Sequence, residues 1–141
     1  MKTNKMILTL GMMFIIVCSF AAKPPVSVQK GFEQKFPGSI RVTWIKVTAT
    51  VWEAFFSLNG SKSSADFLVN GTWLETEVEI KESELPVAAH DAITTICSGW
   101  AISESYKIET GQNGIIFEVD LRKGMLKKVV AFKEDGTPVT E

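Results

Sequence analysis

From Val51 to Glu79 the chain reads VWEAFFSLNGSKSSADFLVNGTWLETEVE, an alternation of apolar and polar positions broken twice by Asn-Gly. Period two is the signature of a half-buried strand, and Asn-Gly supplies the positive φ that a tight hairpin turn requires. The pattern predicts strands over Val51 to Leu58, Ser63 to Val69 and Thr72 to Ile80. Trp52, Ala54, Phe56 and Leu58 should share a face with Ala65, Phe67, Val69, Leu74, Thr76, Val78 and Ile80. Glu53, Phe55, Asp66, Leu68, Trp73, Glu75, Glu77 and Glu79 should share the other; a helix would scatter those glutamates, whereas a strand aligns them.

Elsewhere the period changes. After Pro24-Pro25, Val28, Phe32 and Phe36 recur every fourth residue and predict a short helix, ended by Pro37-Gly38. Gly31 should weaken it. Ile40 to Val47 is β-branched and reads as a strand. Pro86 opens a second helix with Ala89, Ala92, Ile93, Ile96 and Cys97 as its apolar stripe, ended by Ser98-Gly99. Strands follow at Ile102 to Glu109, at Ile115 to Arg122 with Phe117, Val119 and Leu121 inward, and at Met125 to Lys133 with Val130 and Phe132 inward. Thr110 to Gly114 reads as a loop, and Pro138 to Thr140 as a short last strand after the Asp135-Gly136 turn.

The two halves match by counting. At an offset of 61, Pro25 pairs with Pro86, Val28 with Ala89, Phe32 with Ile93 and Gly38 with Gly99. At an offset of 65, Trp52-Glu53 pairs with Phe117-Glu118, Phe67 with Phe132 and Gly71-Thr72 with Gly136-Thr137. Four extra residues in the second half account for the change, part of them in the Thr110–Gly114 loop. The expected fold class is therefore α+β: a tandem duplication of a helix plus a four-stranded antiparallel meander, in residues 23–81 and 82–141. The two copies should form one continuous sheet with both helices on one face, a single core beneath them and the other face open.

Composition narrows the class. The chain has 141 residues, enough for one domain, and 45% hydrophobic with 22% charged residues is globular. A formal net charge of −1 argues against nucleic acid as a partner. Residues 1–22 read as a signal peptide: Lys2 and Lys5 precede the apolar run from Met6 to Val17, which is too short for a membrane span. Ser19-Phe20-Ala21 offers cleavage after Ala21. Cys18 offers lipid attachment instead, with Val17 where such signals want a small residue. Cleavage near Ala21 gives a periplasmic or secreted protein in which Cys97 is the lone thiol, a small core residue on the second helix. It also leaves thirteen basic against sixteen acidic side chains, or −3.

WEAFF…SADFLVNGTWLETEVEI, then LPVAAHDAI, then IIFEVDL…AFKEDGTPV, resembles the PepSY-like, β-lactamase-inhibitor-like family of exported periplasmic proteins. The resemblance spans nearly all of residues 23–141 and is most specific at NGTWLETE and at P-x-x-A-x-x-A-I. It implies tandem helix-plus-four-strand units in one sheet and carries no catalytic residues. The family name borrows from an inhibitor that grips a β-lactamase with the open face of such a sheet, and PepSY domains are associated with peptidase inhibition. Both are analogies of fold. Two positions depart from the first copy: Val42 is answered by Glu104, and Trp73 by Pro138.

No nucleophile–base pair stands out, and no cofactor or metal is implied. His90, the only histidine, lies on the polar side of its helix, and one His with a distant Cys97 is too few ligands for zinc. Calcium would call for a compact glycine-pivoted loop of acids, which the glutamate strand lacks. The sharper candidate is the open face. Phe55, Leu68 and Trp73 would form an apolar patch among Glu53, Asp66, Glu75 and Glu77, the dress of a partner-binding surface. The expected function is a non-enzymatic binding module for a protein or peptide of the cell envelope, inhibition being one outcome. The alternative is a small-molecule or ion carrier with a pocket between helices and sheet. Oligomeric state is left open.

Overall fold

The computed structural model describes residues 23–112 and 114–139. The signal-peptide reading, Cys18 and the end of the last expected strand lie outside them. Among the described residues two helices, α1 (Val26–Lys35) and α2 (Val87–Ile96), accompany seven strands. These are β1 (Ile40–Lys46), β2 (Val51–Leu58), β3 (Ser61–Leu68), β4 (Trp73–Ile80), β5 (Ala101–Thr110), β6 (Gly114–Lys123) and β7 (Leu126–Lys133). They form one antiparallel sheet in the order β1-β2-β3-β4-β5-β6-β7, each strand beside its neighbour in sequence. The α+β class and the single continuous sheet are as the alternation predicts.

Register fixes the faces, because residues directly opposite on antiparallel strands point the same way. One row runs Phe56, Ser63, Val78, Lys107, Phe117, Phe132 across β2 to β7. Phe56 packs under α1 with Val28, Phe32 and Phe36, and Phe117 and Phe132 pack under α2 with Ala89, Ile93 and Cys97. Both helices therefore lie on one face. The expected single core is two, because the row between them carries Ser63, a half-buried Val78 and an exposed Lys107. The helices cover the ends of β4 and β5, at Trp73, Ile80 and Ile102, but Val78 and Lys107 belong to neither cluster.

The first cluster is aromatic. Phe32 meets Phe56 edge-on at 5.0 Å and Trp44 at 5.2 Å, and Phe36 lies 4.8 Å from Phe56. Such pairs are each worth about 1 kcal/mol beyond the area they bury. The second is mostly aliphatic: Leu85, Ala89, Ile93, Val119 and Leu121 surround Phe117 and Phe132. A third joins Tyr106, Ile108 and Ile116 to Val139. By register Tyr106 and Ile108 share the face of Glu79 and Glu77, so the face away from the helices is not bare along its whole width.

Local expectations fail where a turn or bulge intervenes. Val69 is 37% exposed, because β3 ends at Leu68 and the Asn70-Gly71 turn begins. Ile96, in the last turn of α2, is 58% exposed; Ala89, Ile93 and Cys97 suffice to meet the sheet. Thr110 to Gly114 is no long loop. β5 reaches Thr110 and β6 starts at Gly114, so the expected loop is a hairpin turn between two long strands. The last strand is reduced among the described residues to one bridge, Phe132 to Pro138, with Val139 N–H donating to the Ala131 carbonyl.

Gly31, expected only to weaken α1, has a packing reason. A Cβ there would collide with the Gly71 carbonyl oxygen, and one on Gly71 would meet the Ser27 carbonyl. Gly71 also holds φ at +89°, which L side chains resist. The β3–β4 turn is thereby pressed onto the helix backbone.

Candidate binding face

The carboxylates are placed by the ladder. Glu53 stands directly across from Asp66, and Asp66 from Glu75, a cross-strand row on the face away from the helices. Glu77 is opposite Ser64, which is opposite Phe55. Leu68 pairs with Val51 on the same face. Glu53, Phe55, Asp66, Leu68, Glu75 and Glu77 are all half-buried. The structure brings these six sequence-predicted residues together.

Trp73 does not join them, which corrects the expectation. A bulge between Asp66 and Phe67 sets Trp73 across from Phe67, so the strand changes phase and the indole joins the α1 cluster. Its Nε1–H donates to Thr76 Oγ1 at 2.8 Å, and Lys35 Nζ sits 3.6 Å from the ring centroid. A single inserted residue turns a side chain to the opposite face. Glu79 keeps its face but is exposed at the end of β4, 3.2 Å from Lys62 Nζ.

Residues not singled out from the sequence enlarge the acidic region. Glu118 lies across from Tyr106, itself across from Glu79, and Glu118 is only 2% exposed. Asp120 is across from Glu104, whose Oε2 accepts the Tyr106 hydroxyl at 2.7 Å. The signal was the alternation of β6, where Glu118 and Asp120 interleave with the inward Phe117, Val119 and Leu121.

Burial makes these carboxyls reluctant to ionise. Burial, then the charges of Asp66 and Glu75, lifts Glu53 to about 7 against a hydrogen bond from Ser64. Burial alone lifts Asp66 to about 6. Glu75 rises to about 7 through burial and the charges of Asp66 and Glu118. Glu77 rises to about 8 through burial and then Glu118, Glu53, Glu75 and Asp120. Glu118 reaches about 7 by burial and the charge of Asp120. Tyr106 is pushed well above its ordinary range by burial and its bond to Glu104.

The remaining candidates lie apart. His90 Nε2 is 3.2 Å from Glu82 Oε1, on a surface depression of about 580 Å³ lined also by Lys81, Ser83, Leu85 and Val87. That depression sits beside the 3-10 turn (Glu82–Glu84) and the start of α2. Cys97 is buried in the second cluster with Lys128 Nζ 3.8 Å from its sulfur. Among the described residues, no group of three or more His, Cys, Asp or Glu could hold a metal ion. No described helix is long and apolar enough to cross a membrane.

An open antiparallel sheet backed on one face by two short helices is shared with solved structures. A BLIP-like protein from Bacteroides fragilis superposes with a TM-score of 0.74 at 21% identity, covering 84% of this chain and 85% of that one. A DUF2874 family protein from Bacteroides ovatus gives 0.77 at 20% identity, over 84% and 86%. A protein of Bacteroides eggerthii described as periplasmic gives 0.77 at 18%, over 84% and 88%. The BLIP-like resemblance carried by the sequence is thus met in three dimensions; at these identities the likeness is one of fold. No protein-family model matches the chain, and no curated protein matches it.

Proposed function

We propose that the chain is an exported, non-enzymatic binding module, built of two copies of one helix-and-sheet unit (23–81 and 82–141), that holds a protein or peptide on the sheet face away from its helices. One observation carries the reading: the β2–β3–β4 register lines up Glu53, Asp66 and Glu75 side by side, with Glu77 and Phe55 one row away. Like charges set directly across strands destabilise a sheet. Burial adds to that cost. A bound Lys or Arg side chain would relieve both. Phe55 and Leu68 supply apolar contact beside the acids, as anchors do in protein interfaces. Trp73, on the helix side, takes no part.

Duplication is supported by equivalent details. Asn70 Oδ1 accepts from Thr72 N–H at 3.0 Å, and Asp135 Oδ1 from Thr137 N–H at 2.9 Å. β1·β2 is bulged between Ile40 and Thr43, and β5·β6 between Ile102 and Glu104. Gly71 faces the Ser27 carbonyl as Gly136 faces that of Ala88. Export rests on residues 1–22, and the N-terminal residue of the mature protein tests it.

The test is affinity capture from cell envelope by wild type, Phe55→Ala and Trp73→Ala. Partners kept by Trp73→Ala and lost by Phe55→Ala support the face. Partners kept equally by Phe55→Ala and by Glu53→Lys would remove it. A small-molecule carrier would use the depression beside His90 instead, and ligand titration followed by Trp fluorescence separates that reading.

A further inference from the structure

We propose that the tip of the β6–β7 hairpin is a contact for a membrane surface: Met125 and Leu126 enter the headgroup layer, and Arg122, Lys123, Lys127 and Lys128 hold anionic phospholipid around them. This surface is separate from the carboxylate face and does not depend on it.

The signal begins in the sequence. Residues 121–133 read LRKGMLKKVVAFK, with five cations and no acid. The ladder arranges four of those cations as a collar. Arg122 stands directly across from Lys127 on the face away from the helices. Lys123 is across from Leu126, and Lys128 from Leu121, on the helix face. Gly124, with φ at +61°, begins the turn ahead of them. Met125 is 100% exposed there, beside Leu126 at 63%.

Folding alone does not call for this arrangement. Like charges set directly across strands weaken a hairpin. All four cations are exposed. The ion pairs among the described residues are Lys62–Glu79 and His90–Glu82, so the collar takes part in none. Lys128 Nζ lies instead 3.8 Å from Cys97 Sγ. Asp120, one row back and across from Glu104, feels Arg122 and Lys127 without pairing with either. The β2–β3 hairpin, at the same end of the sheet, turns with SLNGSKS (57–63), and its single lysine is paired with Glu79.

Charge and apolarity together select the occupant. An acidic protein would satisfy the cations but gives no reason for a fully exposed methionine ahead of them. A bilayer supplies both layers in the right order, apolar beyond and phosphate at the level of the collar. The net charge of −1 does not oppose this. Glu53, Asp66 and Glu75 share a row with Thr110 and Gly114, eight residues along β6 from Arg122. At about 3.3 Å per residue that is roughly 26 Å, about three screening lengths at physiological salt. A membrane at the tip feels the collar and not that acidic row.

The probe is vesicles of phosphatidylglycerol and phosphatidylcholine in equal parts, against phosphatidylcholine alone. The protein is residues 23–141, which hold the whole described fold, so that the apolar run from Met6 to Val17 does not itself bind lipid. Co-sedimentation should show binding at least about tenfold tighter to the anionic vesicles, released by high salt. Lys127→Glu should weaken it at least about fivefold. Lys46→Glu makes the same change of charge at the other end of the sheet and should weaken it less than about twofold. In Met125→Trp the emission added to that of the wild type should shift to the blue and be quenched by brominated acyl chains, as adsorption by another surface would not cause. Five results would each overturn the proposal: no binding to the anionic vesicles, equal binding to both lipids, equal losses in Lys127→Glu and Lys46→Glu, added emission in Met125→Trp that brominated chains leave unquenched, or a tip that binds polyglutamate and not vesicles, which would assign it to an acidic protein.

Discussion

Beneath α1, Phe32 and Phe36 stack among Phe56, Phe67 and Trp44. Beneath α2, Ala89, Ile93 and Cys97 rest on Phe117, Leu121 and Phe132. The two helices have the same length, the same proline entry and the same closing bond, Phe36 N–H to the Phe32 carbonyl and Cys97 N–H to that of Ile93, both at 2.8 Å. What differs is how they are seated. Gly71 and Gly136 each face a helix carbonyl, but Gly31 adds a second close contact between α1 and the β3–β4 turn, whereas Ala92 fills the matching place in α2. The backbone plan is the same and the filling is not, as cores tolerate when volume and pattern are kept.

The largest effects should come from breaking each core. Phe67→Ala, at a fully buried ring, should cost about 4 kcal/mol, and Leu121→Ala about 3 kcal/mol, read from urea unfolding midpoints. Equal losses would mean that the aromatic network adds nothing beyond area. The seating is tested next. Gly71 and Gly60 both have positive φ, but only Gly71 faces a backbone carbonyl; Gly60 has nothing within 4 Å. Gly60→Ala should cost about 1 kcal/mol, and Gly71→Ala about 3 kcal/mol. Gly136→Ala, opposite the Ala88 carbonyl, should resemble Gly71→Ala if the second half is locked in the same way.

Smaller effects distinguish the two halves electrostatically. Glu77 is raised from 4.5 to about 8, so across that window the folded chain holds a proton that the unfolded chain has released. As far as this group is concerned, its stabilisation is fully present below about pH 4.5, falls as pH rises and is lost above about 8. Glu77→Gln should flatten that dependence and raise the melting temperature at pH 8 by about 4 °C. A cationic partner binds the ionised face, so its affinity should rise over the same window. The smallest effect is at Lys35, which lies over Trp73. Lys35→Met should cost about 0.5 kcal/mol. The second half has Ile96 and Pro138 at those positions, so Ile96→Lys should return nothing by this route.

Much of the face was legible from residues alone. Alternation groups Glu53, Phe55, Asp66, Leu68, Glu75 and Glu77, and the ladder keeps them together. Trp73 alternates in phase with them yet belongs elsewhere, because a bulge leaves no mark in a string of alternating residues. Ile96 fell on the helix stripe but not on the sheet, because periodicity gives a direction and not the reach of the neighbour. Glu118, Asp120 and Glu104 could have been read from β6 and β5, but their neighbours across the sheet depend on register.

By itself the sequence determined the strand and helix order, the tight turns and the side on which most residues point. Those follow from backbone geometry over a few neighbours: period two, period 3.6, and glycine where φ is positive. Only the tertiary structure decided that the core divides in two, that Trp73 turns toward α1, and that Glu53, Asp66 and Glu75 stand abreast. Each of these depends on contacts between residues distant in the chain, whose spacing a local pattern does not encode.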